Sequence, residues 1–498
     1  MTMRFPRTGA ASLFALVAAG CTVGPDYVPP AAEAPAQWTE AKAPGLLATG
    51  PDQATQVEGW WHGFGDAELD RLVAAAITEN LDLKMAEQRV LEARAQRDAA
   101  AAGEYPSLTA RALADRTGLK LPPVDGQFNF FAAALQPSWE VDLFGKTRRT
   151  VEAADASVDA SVEDRRAVLV SLLGELGDDY AALRSAQARL AIARRNIAAQ
   201  QDALALTRDK FRGGLGSELD VAQAESGLAS LQAVVPQLDA AEAEESHAIA
   251  VLLGRDPGAL EAELAMPSPV PPVPPVLPAA LPSDVVRNRP DIREAERRIA
   301  SANAQIGVAV AAEFPSFTIA PDMALASGAL RTLFTSHAIQ WVLGGSASDS
   351  LFDGGKRDAD VRSAKASTEE ARLAYRKTVL TAFQEVEDAL VAYQTERQRH
   401  EQLAAAAAAD RTAVDRATSL YRAGLGEFLN VLDSERNLYS AEDAVAQSDA
   451  ELTRQAVALY KALGAGWQAG EAAPESVAAR PPDQPATAGP PVTSDRTR

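Results

Sequence analysis

The stretch that decides the fold occurs twice, as Phe211-Arg212-Gly213-Gly214-Leu215-Gly216-Ser217-Glu218-Leu219-Asp220-Val221 and, about 210 residues later, as Tyr421-Arg422-Ala423-Gly424-Leu425-Gly426-Glu427-Phe428-Leu429-Asn430-Val431. Three shorter pairs keep the same order around it: Glu104-Tyr105-Pro106-Ser107 with Glu313-Phe314-Pro315-Ser316, Leu143-Phe144 with Leu351-Phe352, and Leu253-Gly254 with Leu463-Gly464. Matches in a fixed order indicate an internal duplication. Because glycines permit a reversal of the chain, each copy is predicted to be the turn of a helical hairpin.

Long helices are predicted on both sides of these turns. Residues 138–235 and 322–473 contain no proline and are rich in helix formers. Apolar residues recur there at the spacing of coiled-coil packing, namely Leu169, Leu173, Leu176, Tyr180, Leu183 and Leu190, then Leu380, Phe383, Val386, Leu390 and Tyr393. A helix from Lys146 to Phe211 would be roughly 100 Å long and would need neighbours along its whole length. A second helix returns to Gly254, and Pro236 is expected to bend it.

Two stretches in each half lack helical character and are candidate strands: 106–117 with 128–143, and 315–327 with 338–351. No run of 18 apolar residues is present, so a membrane crossing would require a closed barrel. Four strands cannot close a barrel, so a crossing would require several copies of the chain.

The N-terminus has the features of an export signal. Arg4 and Arg7 precede an apolar run, and Val17-Ala18-Ala19-Gly20-Cys21 resembles a lipobox, although Ala18 stands where leucine is usual. Cys21 is the only cysteine, so an intramolecular disulfide is excluded and lipid attachment is predicted. The alternative is an ordinary signal peptide with an incidental thiol.

The formal net charge of −20 argues against a nucleic-acid partner. If the acidic residues lined a lumen, they would favour cationic solutes. The alternative explanation of the negative charge is that it only keeps the protein soluble. The predicted domains are a signal peptide (1–20), a lipid-anchored N-terminal extension (21–65), a first repeat (66–265), a Pro-rich connector (266–282), a second repeat (283–466) and a disordered tail (467–498).

Four motifs in the same order resemble the TolC-like outer-membrane factors, in particular the lipid-anchored OprM/NodT branch that serves RND-type efflux systems. They are Cys21-Thr22-Val23-Gly24-Pro25-Asp26-Tyr27, Trp139-Glu140-Val141-Asp142-Leu143-Phe144-Gly145, Arg289-Pro290-Asp291-Ile292-Arg293-Glu294-Ala295-Glu296 and the two hairpin turns.

The resemblance implies a mainly α chain with a small β part, working as a homotrimer anchored by lipid in the outer membrane. Its long antiparallel hairpins would form a periplasmic α-barrel, and each chain would give four strands to a 12-stranded transmembrane β-barrel. The trimer would be a passive duct for small molecules delivered by an inner-membrane RND pump through a periplasmic adaptor. The alternative is a periplasmic helical scaffold lipoprotein without pore activity.

The resemblance also assigns site residues. Adaptor docking is expected at the hairpin tips, by Arg212, Gly214, Leu215, Gly216, Arg422, Gly424, Leu425 and Gly426, unless these residues only form turns. A periplasmic constriction is expected at Leu429, Asp433 and Arg436, although the last two have the spacing of a local ion pair. In the first repeat, Gln223 and Ser226 stand at the latter two positions. No catalytic residue, cofactor or metal site is predicted, so the chain is not expected to be an enzyme.

Overall fold

The computed structural model describes residues 22–31, 34–40, 47–48, 58–121, 124–278 and 282–471. The predicted signal peptide and the lipidation site Cys21 lie outside the described residues. The same holds for residues 472–498 of the predicted tail.

The described residues form nine α-helices, which are α1 (Ala67–Glu79), α2 (Leu81–Ala101), α3 (Lys146–Arg212), α4 (Glu218–Leu252), α5 (Glu261–Leu264), α6 (Pro282–Asn288), α7 (Pro290–Ala311), α8 (Lys356–Arg422) and α9 (Phe428–Ala462). Their strands are β1 (Leu47–Ala48), β2 (Ser107–Leu121), β3 (Val124–Glu140), β4 (Leu277–Pro278), β5 (Ser316–Ile319), β6 (Asp322–Ser327), β7 (Ile339–Val342) and β8 (Gly345–Ser348). No helix among the described residues combines the length and the apolar character needed to cross a bilayer.

The two repeats have the same helical dimensions. The long helices α3 and α8 each have 67 residues, and the return helices α4 and α9 each have 35. Both long helices follow a glycine with φ of 85°, Gly145 and Gly355. At 1.5 Å per residue α3 and α8 are about 100 Å long, which confirms the predicted hairpins. Helix α4 continues through Pro236.

The main core lies where the N-terminal segment and both repeats meet. Trp60 is buried there, and its ring stacks on that of Tyr460 with centroids 5.2 Å apart. Gly177 of α3 permits this approach, because a Cβ atom on it would lie 3.1 Å from the Trp60 ring. The apolar residues predicted to pack along α3 are all buried, whereas Leu380 of α8 is exposed in the single chain.

The sheet differs in part from the prediction. β2 and β3 form a long antiparallel hairpin, and the remaining sheet order is β7-β6-β3-β5-β8. The two strands predicted for the second repeat are each divided into two short strands. Pro321 lies between β5 and β6, where it has no N–H to donate to the ladder, and Gly344 lies between β7 and β8.

The structure adds detail at both ends of the second repeat. The predicted extended connector contains β4, which pairs with β1 in parallel, and α6 begins at its last residue. The predicted disordered tail starts too early, because Trp467–Gly470 forms a 3-10 helix. The guanidinium of Arg166 lies 4.4 Å from the centroid of the Trp467 ring, and this cation–π contact holds the short helix against α3.

Candidate functional site

Both hairpin tips end in the same backbone motif. In the first tip the Leu215 N–H donates to the Lys210 carbonyl oxygen at 2.8 Å, and the Gly214 N–H donates to that of Phe211 at 3.0 Å. This pair of bonds closes a helix in the Schellman arrangement, which needs a residue with positive φ. Gly214 supplies it at 72°, and the second tip repeats the bonds around Gly424 at 75°. The predicted turns are therefore confirmed as turns.

The predicted tip residues are mostly accessible. The two leucines at the turns, Leu215 and Leu425, are among the most exposed large apolar side chains of the described residues. The two other predicted glycines, Gly216 and Gly426, are half-buried against the preceding helical turn, and at Gly426 an added Cβ atom would lie 3.2 Å from Cβ of Leu420. The tips thus present apolar side chains on a backbone that is held in a fixed turn.

The structure brings the two tips together. The Lys210 ammonium lies 3.7 Å from the centroid of the Tyr421 ring and donates to the Tyr421 carbonyl oxygen. Directly beside this contact, both hairpins share a small apolar cluster of buried residues, namely Leu204, Ala224, Tyr421, Phe428, Val431 and Leu432. The first and second hairpins are therefore joined near their tips and not only at the main core.

The predicted constriction residues lie on one face of α9. Leu429, Asp433 and Arg436 follow the i, i+4, i+7 spacing of a helix face, and all three are exposed. The described residues show no ion pair or hydrogen bond between Asp433 and Arg436, so the local pair is not formed in the single chain. The counterpart of Leu429 in the first repeat, Leu219, is also exposed.

A cavity that the sequence did not indicate lies beside this face. It has a volume of about 400 Å³ and separates the first hairpin from α9. Glu435 lines it with one carboxylate oxygen, Oε2, that is buried and has no hydrogen-bond partner. Burial raises the pKa of Glu435 to about 7. The cavity is also lined by polar and apolar residues of three helices, including Asn196, Gln200, Leu231, Val234, Leu432 and Tyr439.

A comparison of the two repeats explains why Glu435 has no ion-pair partner among the described residues. Its counterpart, Glu225, pairs with Arg208 of the same hairpin at 2.6 Å. In the second repeat the position of Arg208 is taken by Thr418, so the cation is lost while the acid remains. A comparison of the two repeats, residue by residue, is the sequence signal that would have found this site.

The sheet at the other end of the long helices has one apolar face. Directly opposed residues of antiparallel strands share a face, and the register places Ala110, Leu135, Met323 and Trp341 in one row across four strands. All four side chains are exposed. The neighbouring row on the opposite face is more polar, with Thr109, Gln136, Asp322 and Val342. An exposed apolar row across a sheet indicates contact with lipid or with another protein.

Comparison with known families decides the identity. The model of the outer membrane efflux protein family matches residues 72–255 and again residues 281–465, once for each repeat. The chain belongs to this family. The double match reproduces the duplication found in the sequence and covers more than half of the chain.

Relatives and solved structures of the family extend over nearly the whole chain. It is 32% identical to nodulation protein T of Rhizobium leguminosarum bv. trifolii, across 93% of this chain and 98% of the relative. It is 31% identical to the solvent efflux pump outer membrane protein SrpC of Pseudomonas putida, across 91% and 97%. The structure of the outer-membrane channel OprN superposes with a TM-score of 0.84 at 38% identity, covering 90% of this chain and all of OprN.

This outer membrane efflux protein is therefore an outer-membrane channel for efflux and is not an enzyme, as predicted. The predicted relation to the TolC-like factors is confirmed, and so is the mainly helical fold with long antiparallel hairpins and a small sheet. Its location in the outer membrane is likewise confirmed. Lipidation at Cys21, the adaptor-docking tips and the constriction remain predictions.

Proposed function

We propose that three copies of this efflux protein form a passive duct that carries small molecules from an inner-membrane RND pump, through a periplasmic adaptor, to the exterior. Cys21 carries the lipid that anchors each copy in the outer membrane. The observation that supports this arrangement is the separation of two surfaces in one rigid chain. An apolar sheet face lies at one end of the long helices, and the exposed tips lie about 100 Å away at the other.

Association of several copies follows from the sheet. In the order of the described strands, β2, β7 and β8 each have only one strand neighbour. A strand edge with unpaired N–H and carbonyl groups is unstable in a lipid environment, where no water satisfies it. Pairing with the edges of sister chains satisfies these groups while the apolar row stays in contact with lipid.

The exposed face with Leu429, Asp433 and Arg436 narrows the duct where the three copies of α9 approach each other. Among the residues that the structure describes, Asp433 and Arg436 have no ion-pair or hydrogen-bond partner, so in the trimer each is available to the neighbouring copy. Such pairs hold the copies of α9 together, and Leu429 reduces the opening further. The first repeat contributes Gln223 and Ser226 there, so the charged contact belongs to one hairpin per chain.

Conductance in planar bilayers tests this proposal. The trimeric wild-type protein is expected to form pores, and Asp433→Ala is expected to raise the conductance because it removes a contact that holds α9 closed. The matched control is Gln223→Ala, the same change at the counterpart in the first repeat, which should leave the conductance unchanged. Absence of pores in both the wild type and Asp433→Ala would favour a periplasmic scaffold without pore activity.

The tips dock the adaptor through the exposed leucines. A charge at either position, in Leu215→Asp or Leu425→Asp, places a carboxylate in an apolar contact and is expected to abolish export. The variants should still form trimers and conduct in bilayers, since the side chains point away from the shared apolar cluster. Normal export by both variants would show that the tips only form turns.

A further inference from the structure

The cavity between the first hairpin and α9 lies within one chain and is large enough for a small molecule. Helix α3 contributes Asn196 and Gln200 to its wall, α4 contributes Leu231, and α9 contributes Glu435 and Tyr439. In proteins an apolar cavity of about 150 Å³ is enough to bind benzene. The volume of about 400 Å³ therefore leaves room for an aromatic ring that carries a short chain.

The polar groups of the α3 wall use their donors within the chain. The amide nitrogen of Asn196 donates to the Ile192 carbonyl oxygen at 3.0 Å and to Glu442 at 3.3 Å. The amide nitrogen of Gln200 donates to the Ala224 carbonyl oxygen at 3.4 Å. The described residues show no hydrogen bond to the amide oxygen of either side chain, although Gln200 is only 3% exposed. The α3 wall therefore offers mainly hydrogen-bond acceptors to an occupant.

Glu435 adds a carboxylate to these acceptors. Its Oε2 is buried and has no hydrogen-bond partner, and burial raises its pKa to about 7, so the group is charged above that pH. Successive residues of an α-helix differ in direction by about 100°, which places Glu435 at least about 100° around α9 from Leu429, Asp433 and Arg436. Its carboxylate therefore belongs to the cavity and not to the exposed face of α9.

The other charged groups near the cavity do not neutralise this carboxylate. Among the described residues of the wall, Glu435 is the only acid, and neither α3 nor α4 contributes a charge. Arg436 borders the cavity, but its side chain is exposed, and adjacent residues of a helix do not face each other. Two turns further along α9, Glu442 already holds Arg195 at 3.0 Å and Arg411 of α8. A positive charge for Glu435 has to come from outside the chain.

We propose that this cavity binds a small organic cation, a primary ammonium on an aromatic or short alkyl body. The carboxylate of Glu435 and the amide oxygens of Asn196 and Gln200 offer an acceptor to each of the three N–H groups of the ammonium. The body of the ligand packs against Leu231 and the ring of Tyr439. A single carboxylate among apolar side chains does not suit Ca²⁺, which takes about six to eight oxygen ligands.

Binding of 2-phenylethylammonium to the mature, detergent-solubilised protein tests the site. Isothermal titration calorimetry at pH 8, corrected for titration into empty micelles, should show saturable binding of one cation per chain. An alkylammonium is charged at this pH, because its pKa is about 10.4 in the lysine side chain. The neutral analogue 2-phenylethanol has the same shape but lacks the charge, so it should bind roughly tenfold to a hundredfold more weakly.

Two variants locate the ligand, each with a matched control. Glu435→Gln keeps the size of the side chain and should weaken the binding of the cation by roughly tenfold or more, without weakening that of the alcohol. Glu225→Gln, at the repeat counterpart paired with Arg208, should bind as wild type does. Ala199→Phe fills the cavity from an exposed position of its wall and should abolish binding. Its control is Ala198→Phe, at the adjacent exposed position outside the wall, which should retain it.

The pH dependence gives a readout in the unaltered protein. A carboxyl group with a pKa of about 7 is roughly 90% ionised at pH 8 and roughly 3% ionised at pH 5.5, so the affinity should fall by roughly thirtyfold between them. Glu435→Gln should remove this dependence. Tyr439 does not contribute to it, because burial raises the pKa of its hydroxyl and the group is neutral at both values.

The outcomes separate this inference from the proposed function. Equal affinity of the wild type for the ammonium and the alcohol would overturn the site, and so would undiminished binding of the cation by Glu435→Gln. Undiminished binding by Ala199→Phe would place the ligand elsewhere on the protein and also overturn it. None of these results bears on the duct, which the conductance of the wild type and Asp433→Ala tests separately.

Discussion

Replacement of Glu435 by glutamine should stabilise the protein at neutral pH but not at acidic pH. Glu435 lines the cavity between the hairpins, its Oε2 has no partner, and burial raises its pKa from 4.5 to about 7. An acid with a raised pKa in the folded state favours folding below the pKa of the unfolded state. That contribution is lost as the pH rises through 7. Glutamine keeps the size of the side chain and never acquires the charge.

The expected gain in stability follows from the shift in the pKa of Glu435. At about 1.4 kcal/mol per pKa unit, the raised pKa corresponds to at most roughly 3.5 kcal/mol, and water that reaches the partly exposed side chain reduces this to roughly 1–2 kcal/mol. The advantage of Glu435→Gln should be absent at pH 4, grow between pH 4.5 and 7, and be complete at pH 8. In a chain of this size it corresponds to a rise of roughly 1–3 °C in the melting temperature.

Thermal melting of the detergent-solubilised protein, followed by circular dichroism at a fixed scan rate, measures this difference at pH 4, 6 and 8. The matched control is Glu225→Gln, which makes the same change at the repeat counterpart, where the carboxylate is exposed and paired with Arg208. The control should lose a little stability or none, and gain none at pH 8. A difference between Glu435→Gln and wild type that does not change with pH would refute the assignment of an unpaired, desolvated carboxylate.

Three further substitutions test the packing, each by the loss of unfolding free energy measured in denaturant melts. Gly214→Ala should cost about 1 kcal/mol because its φ of 72° is strained for alanine, whereas Gly213→Ala, at −79°, should be neutral. Trp60→Ala should cost about 3–5 kcal/mol, since it removes a buried ring stacked on Tyr460. Arg289→Ala should cost about 1–3 kcal/mol because it removes the buried cation that bonds two partly exposed carboxylates, those of Asp291 and Glu385.

The long helices of the hairpins and their turns were predicted from the sequence to within a few residues. Glycines at the tips and the absence of proline in the helical segments determine the local backbone conformation. Their effect can therefore be predicted without knowing the rest of the fold. The interruption of the strands was missed, although Pro321 is visible in the sequence. A proline interrupts a strand only where its missing N–H would have donated to a neighbouring strand. Which strand lies there is determined by the sheet register.

Leu380 shows the limit of periodicity. It continues the coiled-coil spacing of α8, which predicts packing against a neighbouring helix, but in the single chain it is exposed. A regular apolar pattern predicts that a residue will be buried, but it does not indicate whether the same chain or another molecule buries it. Glu435 shows a different limit, since only the positions of α3 and α4 determine that its carboxylate is buried in a cavity.

The duplication supports the closed assembly that we propose. Among the described residues, each chain forms the contact between the long helix of its first repeat and the short helix of its second, and leaves the reciprocal faces of α8 and α2 exposed. Because these exposed faces are different surfaces on one molecule, copies that paired them would join head to tail, and such joining gives either a ring or an endless fibre. A ring covers every face with a fixed number of chains. The sheet favours the ring, because its edge strands must also pair with strands of other copies in the same membrane. A ring of hairpins about 100 Å long would enclose the duct that efflux requires.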